Sequence, residues 1–163
     1  MKRIKVFVMD VDGTMTDGKI YMGSIGELFK AFDIKDGYGI HEILPRYHVK
    51  TVIITGRTSQ IVDNRAKELE IDYVLQNVKD KKRAIVDLAN EIGCSLDEIA
   101  YIGDDIIDLE PMELCGVSGC PADAARDIKS IADHISDKCG GYGAVRDFIE
   151  WLVAEKYVGG IEG

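Results

Sequence analysis

The residues with the most obvious capacity for chemistry in this 163-residue chain are paired carboxylates. Asp10 and Asp12 stand two apart in Asp10-Val11-Asp12-Gly13-Thr14, and Asp104 and Asp105 are adjacent, with Asp108 following in the same stretch. Carboxylates gathered away from water repel one another and call for a cation between them. Hard oxygen ligands with open positions suit Mg²⁺ better than zinc. No histidine cluster competes: His41, His48 and His134 are scattered and read as surface or core residues. A bare Asp-x-Asp-Gly also closes many ordinary strands with a turn. The rest of the chain therefore decides what this one does.

A metal-bound Asp10 can attack a phosphorus atom in line and carry the phosphoryl group as an aspartyl-phosphate. Asp12 can protonate the departing alkoxide and then deprotonate the attacking water. The phosphoryl oxygens need hydroxyl and ammonium partners. Thr55 offers the hydroxyl, and Lys81 or Lys82 the ammonium. A lysine at a helix N-terminus opposes the helix dipole, which points to a use beyond solvation, although the run Lys79-Asp80-Lys81-Lys82-Arg83 also reads as a solvated charge cluster.

Buried strands must deliver these groups. Ile4 to Met9, Thr51 to Thr55 and Ile99 to Ile102 are short apolar runs stopped by Asp, Thr or Gly. In a parallel sheet the strand ends share one rim, so residues distant in sequence converge there. Between the strands, Thr58 or Ser59 caps a predicted helix containing Ile61, Ala66 and Leu69. Asp80 opens another, whose stripe of Ala84, Ile85, Leu88, Ala89 and Ile92 is closed by Gly93. Ser95 and Glu98 form a capping-box pattern. Further predicted elements are a helix from Asp36 to about Tyr47, a short strand Tyr73 to Leu75 and a strand around Val117. A short helix Ala122 to Ile128, a strand Ala132 to Ile135 and a last helix Ala144 to about Tyr157 follow. Residues 14 to 33 read as a β-hairpin flap, with Ile20 to Met22 pairing with Leu28 to Phe32. The pattern predicts one α/β domain over 1–163, with a doubly wound, mainly parallel sheet.

Composition narrows the partners. With 46% hydrophobic and 30% charged residues the chain is ordinarily globular, and its net charge of −9 argues against nucleic acid or an anionic membrane. No apolar run approaches a membrane span, and the basic start Met1-Lys2-Arg3 is not followed by a signal-peptide core, so a cytoplasmic location is expected. Cys94, Cys115, Cys120 and Cys139 show no C-x-x-C pair and read as reduced thiols.

Taken in order, Asp10-Val11-Asp12-Gly13-Thr14, Thr55-Gly56, Lys81 and Gly103-Asp104-Asp105 with Asp108 resemble the four motifs of the haloacid dehalogenase superfamily. The resemblance implies a Rossmann-like fold with Asp10 as nucleophile and Asp12 as general acid/base. It implies Mg²⁺ held by the Asp10 carboxylate, the Asp12 carbonyl and Asp104, with Asp105 and Asp108 supporting from behind. The segments between Asp12 and Thr55, and between Thr55 and Lys81, have no room for the cap domain most members carry. A capless site acts on a macromolecule or borrows its lid from a neighbouring subunit.

Longer stretches are similar to the 3-deoxy-D-manno-octulosonate 8-phosphate phosphatase family: Asp10 to Gly18, Lys30 to Ile40, Thr55-Gly56-Arg57, Gly103 to Asp108 and Gly140 to Arg146. That resemblance implies a cytoplasmic Mg²⁺-dependent homotetramer acting on a sugar acid phosphate, with hairpins associating around the symmetry axis. Neighbouring subunits and the tail, about 158–163, would help close each site. Thr14, Gly56, Arg57 and Tyr142 become substrate-binding candidates. Arg57 matches the eight-carbon branch, whereas relatives acting on 2-keto-3-deoxynononate 9-phosphate or N-acetylneuraminate 9-phosphate tend to carry Glu there. Tyr142 departs from the pattern, standing where many members have Arg. Two other classes compete: a receiver-type phosphoacceptor, which lacks the Asp-x-Asp-Gly arrangement, and a catalytically quiet assembly subunit, which would not need the acidic set.

Overall fold

The computed structural model describes residues 3–159. Its elements follow in chain order as β1 (Val6–Met9), β2 (Tyr21–Gly23), β3 (Gly26–Phe29), α1 (Ile34–Tyr38), β4 (Lys50–Ile54), α2 (Gln60–Glu68) and β5 (Tyr73–Leu75). Then come α3 (Lys81–Ile92), β6 (Ile99–Ile102), α4 (Leu109–Leu114), β7 (Val117–Cys120), α5 (Arg126–Ile131), β8 (His134–Ile135) and α6 (Ala144–Ala154). Six strands form one sheet in the order β5-β4-β1-β6-β7-β8, every pair parallel. The chain leaves β1 to build one side and returns through β6 to build the other. That reversal opens a crevice beyond the ends of β1, β4 and β6.

Strand alternation sends side chains to two cores. Phe7, Met9, Ile53 and Ile102 pack under α2 and α6, whose Val62, Ala66, Val145, Phe148 and Leu152 are buried against them. Val6, Val8, Val52, Ile54 and Tyr101 face α3 and α5 through Ile85, Leu88 and Ile128. Both faces being covered explains why β1 is buried at every position and reads as a continuous apolar run. Each fully buried Val or Ile contributes about 1.5–3 kcal/mol.

Local expectations needed adjustment in four places. The helix expected from Asp36 begins at Ile34, capped by Asp33 through the Lys35 amide. It then loosens into a wide turn at Gly39–Ile43 and a 3-10 turn at Leu44–Tyr47, where Pro45 cannot donate. The expected helix Ala122 to Ile128 is displaced to Arg126–Ile131, because the amides of Ala122 and Ala125 donate to the Lys138 and Asp104 carbonyls. The last helix stops at Ala154, where Lys156 takes φ 61° and the Tyr157 carbonyl accepts from Ile4. The hairpin pairs β2 with β3 across Gly23 and Gly26, with a register irregularity at Tyr21/Met22.

Val158 is buried in the core, and the expected closing tail beyond Gly159 lies outside the described residues. All four cysteines are free, and burial pushes the Cys115 thiol up to about 12 and Cys120 to about 11, which disfavours their thiolates. No helix among the described residues is long and apolar enough to cross a membrane.

Candidate active site

Asp10 is the first residue past β1, and its amide continues the ladder to the Ile102 carbonyl. The chain then turns sharply, with the amides of Thr14, Met15 and Thr16 all donating to the Val11 carbonyl. Gly13 takes φ 90°, and a Cβ there would stand 2.0 Å from Asp104 Oδ2. Glycine at position 13 is what lets the β6 carboxylate approach the β1 loop.

Carboxylate oxygens of Asp10, Asp104 and Asp108 lie within 4.8 Å of one another. Lys81, the first residue of α3, points its ammonium into them, 2.6 Å from Asp10 Oδ1 and 2.8 Å from Asp108 Oδ1. Lys82 faces away and pairs with the exposed Glu110 at 3.3 Å, so Lys81 is the lysine that enters the site. Burial first, then the charges of Asp108 and Asp104, push the Asp10 carboxyl well above its usual range despite Lys81. Burial likewise lifts Asp104 to about 6, against hydrogen bonds to Asp10 and Thr14. Lys81 is held above its usual value because Asp10 and Asp108 outweigh the cost of its burial.

The three acids divide by their hydrogen bonds. Asp108 Oδ1 accepts from Lys81 and from Tyr101 Oη at 2.8 Å, while its Oδ2 accepts the amides of Asp104 and Asp105 at 3.1 and 3.4 Å. Its lone pairs are largely occupied, so it braces the site rather than offering a ligand. Asp104 accepts only Thr14 Oγ1, at 3.1 Å, besides its contact with Asp10. Two carboxylates pressed together with pKa values raised by burial are a fitting donor pair for Mg²⁺, which would relieve their repulsion. The side chain of Asp105 caps the turn at Ile106 and is exposed, so it contributes no group to this cluster.

Asp12 points elsewhere. Its Oδ1 meets Lys30 Nζ at 2.6 Å, and that lysine side chain is only 1% exposed. Glu27 receives the same ammonium at 3.1 Å, accepts Ser59 Oγ at 3.1 Å and faces Arg57 at 3.6 Å. The hairpin is thereby tied by charge to the loops after β1 and β4. Ser59 begins α2 by position, but its hydroxyl serves Glu27 rather than a helix amide.

Thr55 is buried at the end of β4, its backbone fixed by Leu75 and Val78. Gly56 accepts Lys79 Nζ at 3.4 Å, and Arg57 is partly exposed beside Glu27. Thr14, expected at the substrate, is instead fully buried with its hydroxyl on Asp104. Tyr142 is 66% exposed in the loop whose Gly140 and Gly141 press on the turn after β1. A cleft of about 490 Å³ opens beside Lys81, lined by Lys79, Asp80, Ile106, Ile107 and Pro111.

Sequence reasoning missed Lys30, Glu27 and Tyr101 as parts of this arrangement. A lysine between Phe29 and Phe32 in a strand-like run was the available sign for Lys30. For Tyr101 there was none, since an aromatic in a buried strand reads as core.

A buried aspartate paired with a buried lysine, beside a carboxylate pair able to hold Mg²⁺ on a doubly wound sheet, fits a metal-assisted phosphoryl-transfer enzyme. A haloacid dehalogenase-like hydrolase domain matches residues 74–149, and the chain belongs to that family. Within it, the chain is 39% identical over 152 residues to the 3-deoxy-D-manno-octulosonate 8-phosphate phosphatases of Salmonella typhi and Escherichia coli K12, spanning 93% of this chain and 80% of each relative. The Moraxella catarrhalis enzyme of that name, crystallised with magnesium, phosphate and KDO, superposes with a TM-score of 0.90 at 40% identity, covering 94% of this chain and 87% of the other. The cobalt-bound Haemophilus influenzae phosphatase superposes at 0.89 with 35% identity, covering 94% and 90%. No cap domain interrupts the described residues. Only the hairpin stands between β1 and α1, and only α2 and β5 between β4 and α3.

Proposed function

We propose that this chain hydrolyses 3-deoxy-D-manno-octulosonate 8-phosphate to the free sugar acid and phosphate. The observation that carries the reading is the buried Asp10, set between the Lys81 ammonium and the Asp104 carboxylate. The similarity to phosphatases of that substrate over nearly the whole chain supports the choice of sugar.

In the reaction, an Asp10 carboxylate oxygen attacks phosphorus and the bond from phosphorus to the sugar oxygen breaks. The departing oxygen takes its proton from Asp12, which must first exchange its ion pair with Lys30 for a proton and turn toward the leaving group. Water then attacks the aspartyl-phosphate, gives a proton to Asp12, and the bond between Asp10 and phosphorus breaks to release phosphate. Lys81 and the Thr55 hydroxyl meet the phosphoryl oxygens, and Asp108 with Tyr101 holds Lys81 in place. Asp10, the Asp12 carbonyl and Asp104 would hold Mg²⁺, which supplies charge neutralisation for the transferring group. Arg57 and Gly56 on one side and Tyr142 on the other flank the substrate.

The hairpin exposes Met22, Ile25, Leu28 and Phe29, an apolar surface suited to association with other hairpins. A homotetramer whose neighbouring subunits close each site, working in the cytoplasm on lipopolysaccharide precursors, fits that surface and the absence of a cap. Light scattering on the purified chain tests the assembly.

The deciding experiment measures phosphate release with Mg²⁺ from matched eight- and nine-carbon sugar acid phosphates, with EDTA and Asp10→Asn as controls. Preference for the eight-carbon substrate is expected. Preference for 2-keto-3-deoxynononate 9-phosphate or N-acetylneuraminate 9-phosphate would retain the mechanism and overturn the substrate. Turnover by Asp10→Asn close to wild type would overturn the mechanism.

A further inference from the structure

Asp36 carries a role that neither the family motifs nor the reaction uses. It sits in the middle of α1, and because Asp33 already caps that helix, Asp36 is free to face another. Its carboxylate is 3% exposed and its Oδ1 accepts the Arg146 amide at 2.8 Å, in the first turn of α6. The amides of Gly143 and Val145 also face it. The N-cap position of α6 is Gly143, which has no side chain to cap the helix, so Asp36 supplies the cap from across the interface.

The segment just before α6 presses on the catalytic turn. A Cβ on Gly140 would stand 1.9 Å from the Gly13 carbonyl oxygen, and one on Gly141 would stand 2.6 Å from the Asp17 amide. The Gly141 amide donates to the Thr14 carbonyl at 3.2 Å, and Thr14 in turn holds Asp104. A continuous path therefore runs from Asp36 through the start of α6 to the turn that spaces Asp10 and Asp104. Oδ2 of Asp36 is buried without a partner, a cost that a packing residue would not need to carry.

We infer that Asp36 is a positioning residue for phosphoryl transfer, fixing the catalytic turn by capping α6 and clamping the Gly140–Gly143 loop against it. The inference rests on the phosphatase reading for its effect on turnover, whereas its mechanical part does not.

The test compares wild type, Asp36→Ala and Asp36→Asn in steady-state kinetics and in hydrogen exchange of segments 11–18 and 140–147. Ile149→Val, which trims a buried side chain of α6 and leaves the hydrogen bonds of the Asp36 carboxylate in place, serves as a stability control. Asp36→Ala is expected to loosen both segments while β1, β4 and β6 stay protected. It should lower kcat about tenfold or more with KM nearly unchanged, as a small displacement of reacting groups does. Asp36→Asn keeps an acceptor for the Arg146 amide and should recover most of both. The inference fails if Asp36→Ala keeps wild-type kcat, if loosening stays confined to 140–147, or if Ile149→Val lowers kcat as much. Should the wild type release no phosphate from the eight-carbon substrate, the substrate reading fails, and exchange in 11–18 still decides whether Asp36 holds the turn.

Discussion

Lys81 Nζ stands 2.6 Å from Asp10 Oδ1 while its other bond, at 2.8 Å, goes to Asp108 Oδ1. One ammonium, 2% exposed, thus neutralises two carboxylates, 4% and 0% exposed, one just past β1 and the other in the turn after β6. Tyr101 and two backbone amides complete the cradle of Asp108. Asp10, the proposed nucleophile, is thus fixed in place by a network of buried charge-assisted hydrogen bonds.

Removing one partner of such a buried group leaves charge unpaired. Lys81→Met is expected to abolish turnover and to cost about 3–5 kcal/mol of stability. Lys82→Met, at an exposed pair with Glu110, should stay within about 0.5 kcal/mol and keep activity. Urea unfolding with parallel assays checks both. Equal effects of the two substitutions would contradict the assignment of Lys81.

Mg²⁺ binding should stabilise the fold, since the unfolded chain offers no matched pair of carboxylates. At a hundredfold excess over Kd the gain is about 2.7 kcal/mol, or roughly 5–10 °C in Tm for a chain of this size. Asp104→Asn should remove most of that shift, and calorimetric titration reads it directly. A full Mg²⁺ shift in the variant would exclude Asp104 as a ligand.

Metal-free stability should rise as the solution is acidified from pH 7 toward 5. Burial lifts Asp36 and Asp104 to about 6, above the unfolded value near 3.9, so the folded state binds more protons between these limits. Their contribution is complete below the unfolded pKa and lost as pH rises through about 6. Asp33 adds to the rise of Asp36, while the amides of Arg146, Gly143 and Val145 oppose it. Melting curves in EDTA check this, and Asp36→Asn should flatten its share. A Tm that falls steadily from pH 7 to 5 would contradict it.

Tyr142→Arg should tighten substrate binding if the loop faces the sugar carboxylate. An exposed ion pair is worth about 0.2–1 kcal/mol, so KM should fall by roughly 1.5- to 5-fold with kcat kept. An unchanged KM would show that position 142 makes no carboxylate contact.

Much of this protein was legible without the fold. The short apolar runs ending in Asp10, Thr55 and Asp104 gave the parallel strands and the shared rim, because a strand buried on both faces leaves an uninterrupted hydrophobic signature. Asp80, Gly93 and the Ser95/Glu98 box marked helix ends, because capping is chemistry between near neighbours. The helix expected at Ala122 failed for the opposite reason. Its amides found partners at Lys138 and Asp104, which no local pattern announces.

The family resemblance already pointed to Lys81, but the residues themselves left Lys81 and Lys82 open, since which of two adjacent lysines points inward depends on how α3 lies on the sheet. Tertiary structure alone turned Thr14 toward Asp104, sent Lys30 to Asp12 and placed Asp36 at the start of α6. Those bonds join residues up to 110 positions apart, and a side chain's partner at that separation is fixed by packing rather than by its neighbours in sequence. Residue types and spacing determined the chemistry available to the chain, while the direction in which each charged group points was decided by the folded surfaces that leave it only one place to be paired.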